Sequence, residues 1–174
     1  MSIRHRYDDP ERAGEEFSKK AVEQFTAERF KSVTINREYE VPYTAGYSKD
    51  GKTIYIDRHV PDTISYRGKK CDIIKPLVMH ETTEVSLESK PYFDSYELSH
   101  ETATMAEFAL VRAMGFDVVE YNKQVNEIVK RVYSRAKYES IPPDLDLEPY
   151  YDEKDYKCLK RMGITDEESN KSEE

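Results

Sequence analysis

The segment His80–Glu84 reads His-Glu-Thr-Thr-Glu, and a further histidine and glutamate, His100 and Glu107, follow downstream. The chain has four histidines, so half of them fall in this stretch. Imidazole and carboxylate are the side chains that bind zinc and similar borderline divalent ions in proteins. These residues therefore predict a metal site, provided that the fold brings them together.

The first of these residues lie on a predicted helix from Ile73 to Glu88. Residues four apart share one face of a helix, so His80 and Glu84 point the same way. Apolar side chains recur at about 3.6-residue intervals and form one arc; they are Ile73, Ile74, Leu77, Val78 and Val85. Glu81 falls near the middle of this arc, where a carboxylate is costly unless something binds or neutralises it. That cost indicates a function for the polar residues.

A second helix is predicted from Ser95 to Met114, and Gly115 follows it as a typical helix stop. His100 and Glu107 are seven residues apart, so they lie two turns apart on one side of this helix. The connection between the two helices is short, which makes them antiparallel neighbours. We expect the chain to turn near Tyr92.

This hairpin predicts which side chains meet. Glu84 comes level with His100, and Glu107 comes close enough to reach His80. His80, Glu84 and His100 then form a metal set of two histidines and one carboxylate, for which zinc is the best match by ligand type. Glu81 is adjacent and free to act on a bound water. Glu107 is expected to orient a ligand histidine from behind, with direct ligation as the alternative.

At these residues the chain resembles the zincin family of metallopeptidases. His80-Glu81 followed by Glu84 looks like the His-Glu-x-x-His helix of zincins, with Glu84 in place of the second histidine. His100 and Glu107 resemble the downstream helix that completes a zincin site. The set is also similar to uncharacterised proteins of bacteriophages and proteobacteria, in the segments Tyr43–Tyr47, Gly51–Arg58 and Ser99–Glu107.

The resemblance implies a minimal zincin-like fold, in which a short sheet lies beside the active helix and its edge strand holds an extended substrate. It implies that His80 and His100 bind zinc and that Glu84 is the third protein ligand. Glu81 would be the general base that activates the metal-bound water. A peptide or protein would then be the substrate.

The remaining elements predict an α+β domain over residues 1–140, with a short antiparallel sheet before the helical hairpin and extra helices at both ends. The predicted helices are Pro10–Lys31 and Asp117–Lys137, and the predicted strands are Ser32–Val41, Tyr43–Tyr47 and Thr53–Asp57. Asp57 ends a strand and could support the site from the cleft wall. Residues 141–174 form an acidic, tyrosine-rich extension that could contact a protein partner, and its end is expected to be disordered.

Composition excludes several classes of function. The chain has 174 residues and a net charge of −8, which disfavours nonspecific binding to nucleic acid or to an anionic membrane. The sequence contains no apolar run as long as a membrane span, and its start does not resemble a signal peptide. Cys71 and Cys158 lack paired spacing, which excludes a cysteine zinc site. We therefore expect a cytoplasmic protein.

Three functions fit these observations. The first is a zinc-dependent hydrolase, most simply a peptidase, with Glu81 as the base. The second is a non-catalytic interaction or structural protein of a phage or bacterium, in which a metal or the polar cluster alone pins the hairpin. The third is an iron site with two histidines and one carboxylate, which ranks lower because such sites usually lie on β-barrels.

Overall fold

The computed structural model describes residues 10–88 and 96–164. In these ranges the elements are α1 Pro10–Ser32, β1 Thr34–Asn36, β2 Ala45–Tyr47, β3 Thr53–Ile56, β4 Thr63–Tyr66, β5 Lys69–Asp72, α2 Ile74–Glu88, α3 Tyr96–Ala113, α4 Val118–Tyr133, α5 Glu148–Asp152 and α6 Tyr156–Arg161. The predicted α+β class is confirmed. Within the same ranges, no helix combines the length and the apolarity that a membrane crossing requires.

The three-stranded sheet is mixed, so the prediction of an antiparallel sheet was wrong. Its strand order is β1-β3-β2, with β1 parallel to β3 and β2 antiparallel to it. A tight turn at Asp50-Gly51, where Gly51 has φ +67°, joins β2 to β3 and forces their antiparallel pairing. Residues 37–44 carry the chain from one edge of β3 to the other, so β1 runs in the direction of β3. The alternation of apolar and polar residues along a strand does not show whether the strand pairs in parallel or antiparallel fashion.

A second hairpin, β4–β5, lies between β3 and α2, where no strand is predicted from the sequence. Its turn contains Arg67 and Gly68, both with positive φ (48° and 79°), which is the conformation that matches the twist of a two-residue hairpin. The hairpin ends at Asp72, whose carboxylate accepts hydrogen bonds from the backbone N–H groups of Ile74 and Lys75. Asp72 thereby caps the start of α2 and fixes where the helix with the candidate ligands begins.

Helix α2 is the centre of the domain. It packs against α3, α1, β2 and β3, and every residue from Pro76 to Glu84 is buried. Because this part of α2 is buried, its polar residues lie inside the protein beside its apolar arc. Each buried carboxylate and imidazole on α2 therefore needs a partner or a ligand. The connection from α2 to α3, with the expected turn near Tyr92, lies outside the described residues.

The chain after Ile141 is folded as far as Ile164. Its short helices α5 and α6 bury Tyr150, Cys158 and Leu159 against the strand region. The shared cluster contains Val41, Tyr55, Tyr138, Leu145, Tyr150, Cys158, Leu159 and Met162. This packing places the start of the predicted extension beside β2, close to the helical hairpin. The end of the extension, expected to be disordered, lies outside the described residues.

Candidate metal site

Three side chains from α2 and α3 converge with the spacing of metal ligands. His80 Nε2 lies 3.4 Å from Glu84 Oε2 and 3.2 Å from His100 Nδ1, and His100 Nδ1 lies 2.9 Å from the same Glu84 oxygen. Zinc bonds of about 2.0 Å in a tetrahedron require ligand atoms about 3.3 Å apart. His80, Glu84 and His100 therefore form a group that could hold a metal ion, as predicted from the hairpin.

The two helices create this convergence by simple geometry. His80 and Glu84 are one turn apart on α2, and His100 projects from the antiparallel helix α3. Ala103 is fully buried where α3 meets its neighbours, and its small side chain allows close approach. His80 and Glu84 are buried, whereas 49% of the His100 side chain is exposed. The site is thus embedded on one side and open on the other.

Glu107 lies behind His80 and orients it. The Nδ1 atom of His80 is 2.9 Å from Glu107 Oε2, and the second Glu107 oxygen accepts a hydrogen bond of 2.6 Å from the hydroxyl of Tyr121. Because a carboxylate only accepts, this contact places a proton on Nδ1 of His80 and leaves Nε2, which faces Glu84 and His100, as the ring nitrogen that a metal ion could use. Carboxylate–histidine pairs of this kind typically support metal-binding histidines.

We expect Glu107→Gln to weaken metal affinity by about 10- to 100-fold, because a neutral amide orients His80 less well and raises its basicity less. Competition with a chromophoric zinc chelator measures the change. Glu101→Gln, an exposed position on the same helix, is the matched control and should leave affinity unchanged. Equal affinities for the two variants would show that Glu107 does not support the metal.

The charges of the cluster favour a cation. Burial disfavours a charged His80, but hydrogen bonds to Glu107 and Glu84 outweigh it and raise the pKa of His80 well above its usual value. Burial likewise opposes the ionisation of Glu84, yet hydrogen bonds to His100 and His80 outweigh it and lower the pKa of that carboxyl. Without a metal, the site thus favours a positive charge on His80, which balances an ionised Glu84.

Unlike Glu84, Glu81 has no hydrogen bond from a histidine in the described structure that would balance its negative charge. It is 9% exposed, and no hydrogen bond to its carboxyl is formed within residues 10–88 and 96–164. Burial and the neighbouring Glu84 carboxylate raise the pKa of Glu81 well above its usual range. A divalent cation between the histidines would favour its ionised form.

A cavity of about 460 Å³ adjoins these residues. Glu81 and the three candidate ligands lie on one wall, and the segment Tyr43–Tyr47 lies on another. Residues of the C-terminal segment, among them Asp146 and Tyr150, complete the lining. Structural zinc sites are closed by four protein ligands, whereas catalytic sites keep a position for water or substrate. The half-exposed His100 and the adjoining cavity leave one side of this ligand group accessible.

No family model, curated protein or solved structure matches this chain. The resemblance to zincins therefore rests on the sequence motifs alone.

In the described structure, Asp57 belongs neither to the candidate ligand group nor to the cavity lining. Its fully buried carboxylate accepts hydrogen bonds from the guanidinium of Arg135, at 2.6 and 3.1 Å, and from the backbone N–H groups of Val41 and His59. These contacts tie the end of β3 to the residues after α4. The structure thus assigns Asp57 a role in holding the fold together and does not bring it to the metal site.

Five tyrosines of the described structure line the cavity, and the sequence pattern predicts none of them as a site residue. Tyr121 belongs to the apolar face of α4, so its pattern is that of a core residue. Tyr43 and Thr44 have φ values of 60° and 85°, which are costly for residues with a side chain. Tyr43 stacks on Tyr133 and donates a hydrogen bond to Asp155, and these contacts hold the strained wall beside β2. Only the tertiary structure reveals them.

Proposed function

We propose that this chain is a zinc-dependent hydrolase that cleaves peptide bonds. The observation that carries the proposal is the convergence of His80, Glu84 and His100 at ligand spacing beside an open cavity. The buried carboxylate of Glu81, without a hydrogen-bond partner in the described ranges, lines the same cavity. Ligand set, open position and base are the parts that metal-assisted hydrolysis needs.

Each residue has one task in this mechanism. His80, Glu84 and His100 hold the metal, and Glu107 with Tyr121 keeps the ring of His80 in place. A bound zinc ion would polarise the scissile carbonyl and make water a stronger nucleophile. Glu81 accepts the proton from the attacking water and passes it to the departing amine.

The cavity favours a peptide over a phosphate ester. Of the described residues that line it, none is a lysine or an arginine. Phosphate groups are normally bound by such cations, whereas a carboxylate-rich wall repels them. Residues of β2 also line the cavity, and unpaired strand edges bind extended peptides through main-chain hydrogen bonds.

Elemental mass spectrometry and a peptide-hydrolysis assay test the proposal together. We expect about one zinc ion per chain and an activity that a chelator abolishes and added zinc restores. The double variant His80→Ala, His100→Ala should lose both the metal and the activity. A wild-type protein that holds no metal after reconstitution would refute the proposal. Bound zinc whose removal melts the protein without affecting any hydrolysis would leave the metal a purely structural role.

A further inference from the structure

The outer edge of β2 is partly occupied by the chain itself. On either side of β2, Thr44 and Ser48 form backbone hydrogen bonds toward β3. The N–H of Asp57 donates to the carbonyl of Thr44, and the N–H of Ser48 donates to the carbonyl of Thr53. Because pairing alternates along an antiparallel strand, the backbone groups of Ala45 and Tyr47 point to the opposite, outer edge. This edge borders the cavity that contains the candidate ligands.

Residues 144–146 cover one end of that edge. The backbone N–H of Asp146 donates to the carbonyl of Tyr47 at 2.8 Å, and the N–H of Lys49 donates to the carbonyl of Asp144 at 2.9 Å. Ser48 and Leu145 thereby form an antiparallel bridge. In the described ranges, the N–H and C=O of Ala45 and the N–H of Tyr47 retain no backbone partner. The strand edge is thus unpaired at Ala45, which is 7% exposed beside the cavity, and paired beyond Tyr47.

A peptide that pairs with the open part in antiparallel fashion has its amino end toward Tyr47. Residues 144–146 already run antiparallel beside β2. They occupy the place that further residues at the amino end of such a peptide would take. A longer amino-terminal extension would collide with this segment. Only a peptide whose chain begins near Tyr47 avoids the collision.

The charges at the closed end also select an amino terminus. Asp146 lines the cavity there, and only one of its oxygens is engaged in the described structure, as acceptor from the N–H of Glu148 at 3.0 Å. The carboxyl of Glu88 lies at the same end, 2.6 Å from the hydroxyl of Tyr47. A peptide in the opposite direction would bring its terminal carboxylate against these groups, which is unfavourable, whereas an ammonium group is attracted.

We propose that this chain is an aminopeptidase-type enzyme, which removes residues from the free amino terminus of peptides. The inference rests on the proposed function. Glu84 and Glu88 are one helical turn apart, about 6 Å, which leaves room for about one or two extended residues before the closed end. In the reaction, the oxygen of water bonds to the carbonyl carbon and the amide C–N bond breaks. Glu81 carries the proton of the water to the leaving nitrogen, which becomes the new amino terminus.

The test compares two peptides that differ only in acetylation of the amino terminus, with the zinc-loaded full chain. We expect kcat/KM to be about 10- to 100-fold higher for the free amine, as a lost charge-assisted hydrogen bond predicts, and the products to lack one or two amino-terminal residues. Equal cleavage of both peptides, or cleavage far from the amino terminus, would overturn the inference and leave the hydrolase proposal intact. Cleavage of neither peptide would overturn both.

The substitution Asp146→Asn removes the negative charge of this side chain without removing its support for the fold. Asparagine can still cap the N–H of Glu148, so α5 should form normally, and thermal unfolding checks this. We expect KM for the free-amine peptide to rise about tenfold or more, while the acetylated peptide reacts as before. Asp152→Asn, an exposed change on α5 outside the cavity lining, should alter neither. An unchanged preference in Asp146→Asn would show that Asp146 does not hold the ammonium group.

Discussion

Replacement of Glu81 by glutamine is expected to lower kcat for peptide hydrolysis by about 10²- to 10⁴-fold while zinc remains bound. Glutamine has nearly the same shape as glutamate but cannot accept the proton of the attacking water. The contacts among His80, Glu84 and His100 do not include Glu81, so the ligand set stays complete. Single-turnover rates and metal content, measured on the same preparation, test both parts of the expectation.

Two controls make the Glu81 result specific. Glu101→Gln removes an exposed carboxylate from the neighbouring helix and should leave the rate unchanged. The metal-free Glu81→Gln protein should be at least as stable as the metal-free wild type, because burial and Glu84 already raise the pKa of Glu81 and disfavour its charge. A variant that retains both zinc and full activity would exclude Glu81 as the base.

The geometry of the ligands could be predicted because it depends on local rules. Four-residue spacing put His80 and Glu84 on one face, and a short connection made the next helix antiparallel. These two rules were sufficient to bring Glu84 level with His100 and Glu107 within reach of His80, and the distances agree. Neither rule depends on how the rest of the chain packs.

The cavity opposite the helices could not be predicted in this way. Its wall combines β2 with Asp146 and Tyr150, which are about a hundred residues further along the chain. Their approach depends on the bridge between Ser48 and Leu145 and on the packing of α5 and α6, which are long-range contacts without a local sequence pattern. The parallel pairing of β1 with β3 was missed for the same reason, since alternation gives the faces of a strand but not its partner.

Asp57 shows how a strand-end carboxylate can be mistaken for a site residue. Its position after β3, together with Arg58, is compatible with either a cleft wall or a structural anchor. The deciding partner is Arg135, which follows α4 and is distant in sequence. Burial opposes the ionisation of Asp57, but hydrogen bonds from Arg135, His59 and Val41 outweigh it and lower the pKa of the carboxyl. Asp57 is therefore a charged group that the fold has enclosed and satisfied.

Removal of this carboxylate should cause the largest loss of stability among the described ion pairs. We expect Asp57→Ala to lower the free energy of unfolding by about 3 kcal/mol, since it leaves the Arg135 charge and two backbone N–H groups without their acceptor. This loss is at the low end of what breaking a buried ion pair usually costs, because 20% of the Arg135 side chain reaches solvent. Urea denaturation at pH 7 measures the loss, and Asp62→Ala, which breaks the exposed pair with Arg37, should cost less than about 1 kcal/mol.

The pH dependence of the Asp57→Ala effect distinguishes a lost charge from a lost side-chain volume. The folded protein lowers the pKa of Asp57, so the carboxylate stabilises the fold above its unfolded pKa of about 3.9 and this contribution is lost as the pH falls through the folded value. The difference in stability between wild type and variant should thus be complete at pH 7 and shrink below about pH 4. A difference that stays constant into acid would mean that the cavity left by the side chain, and not its ion pair with Arg135, accounts for the destabilisation.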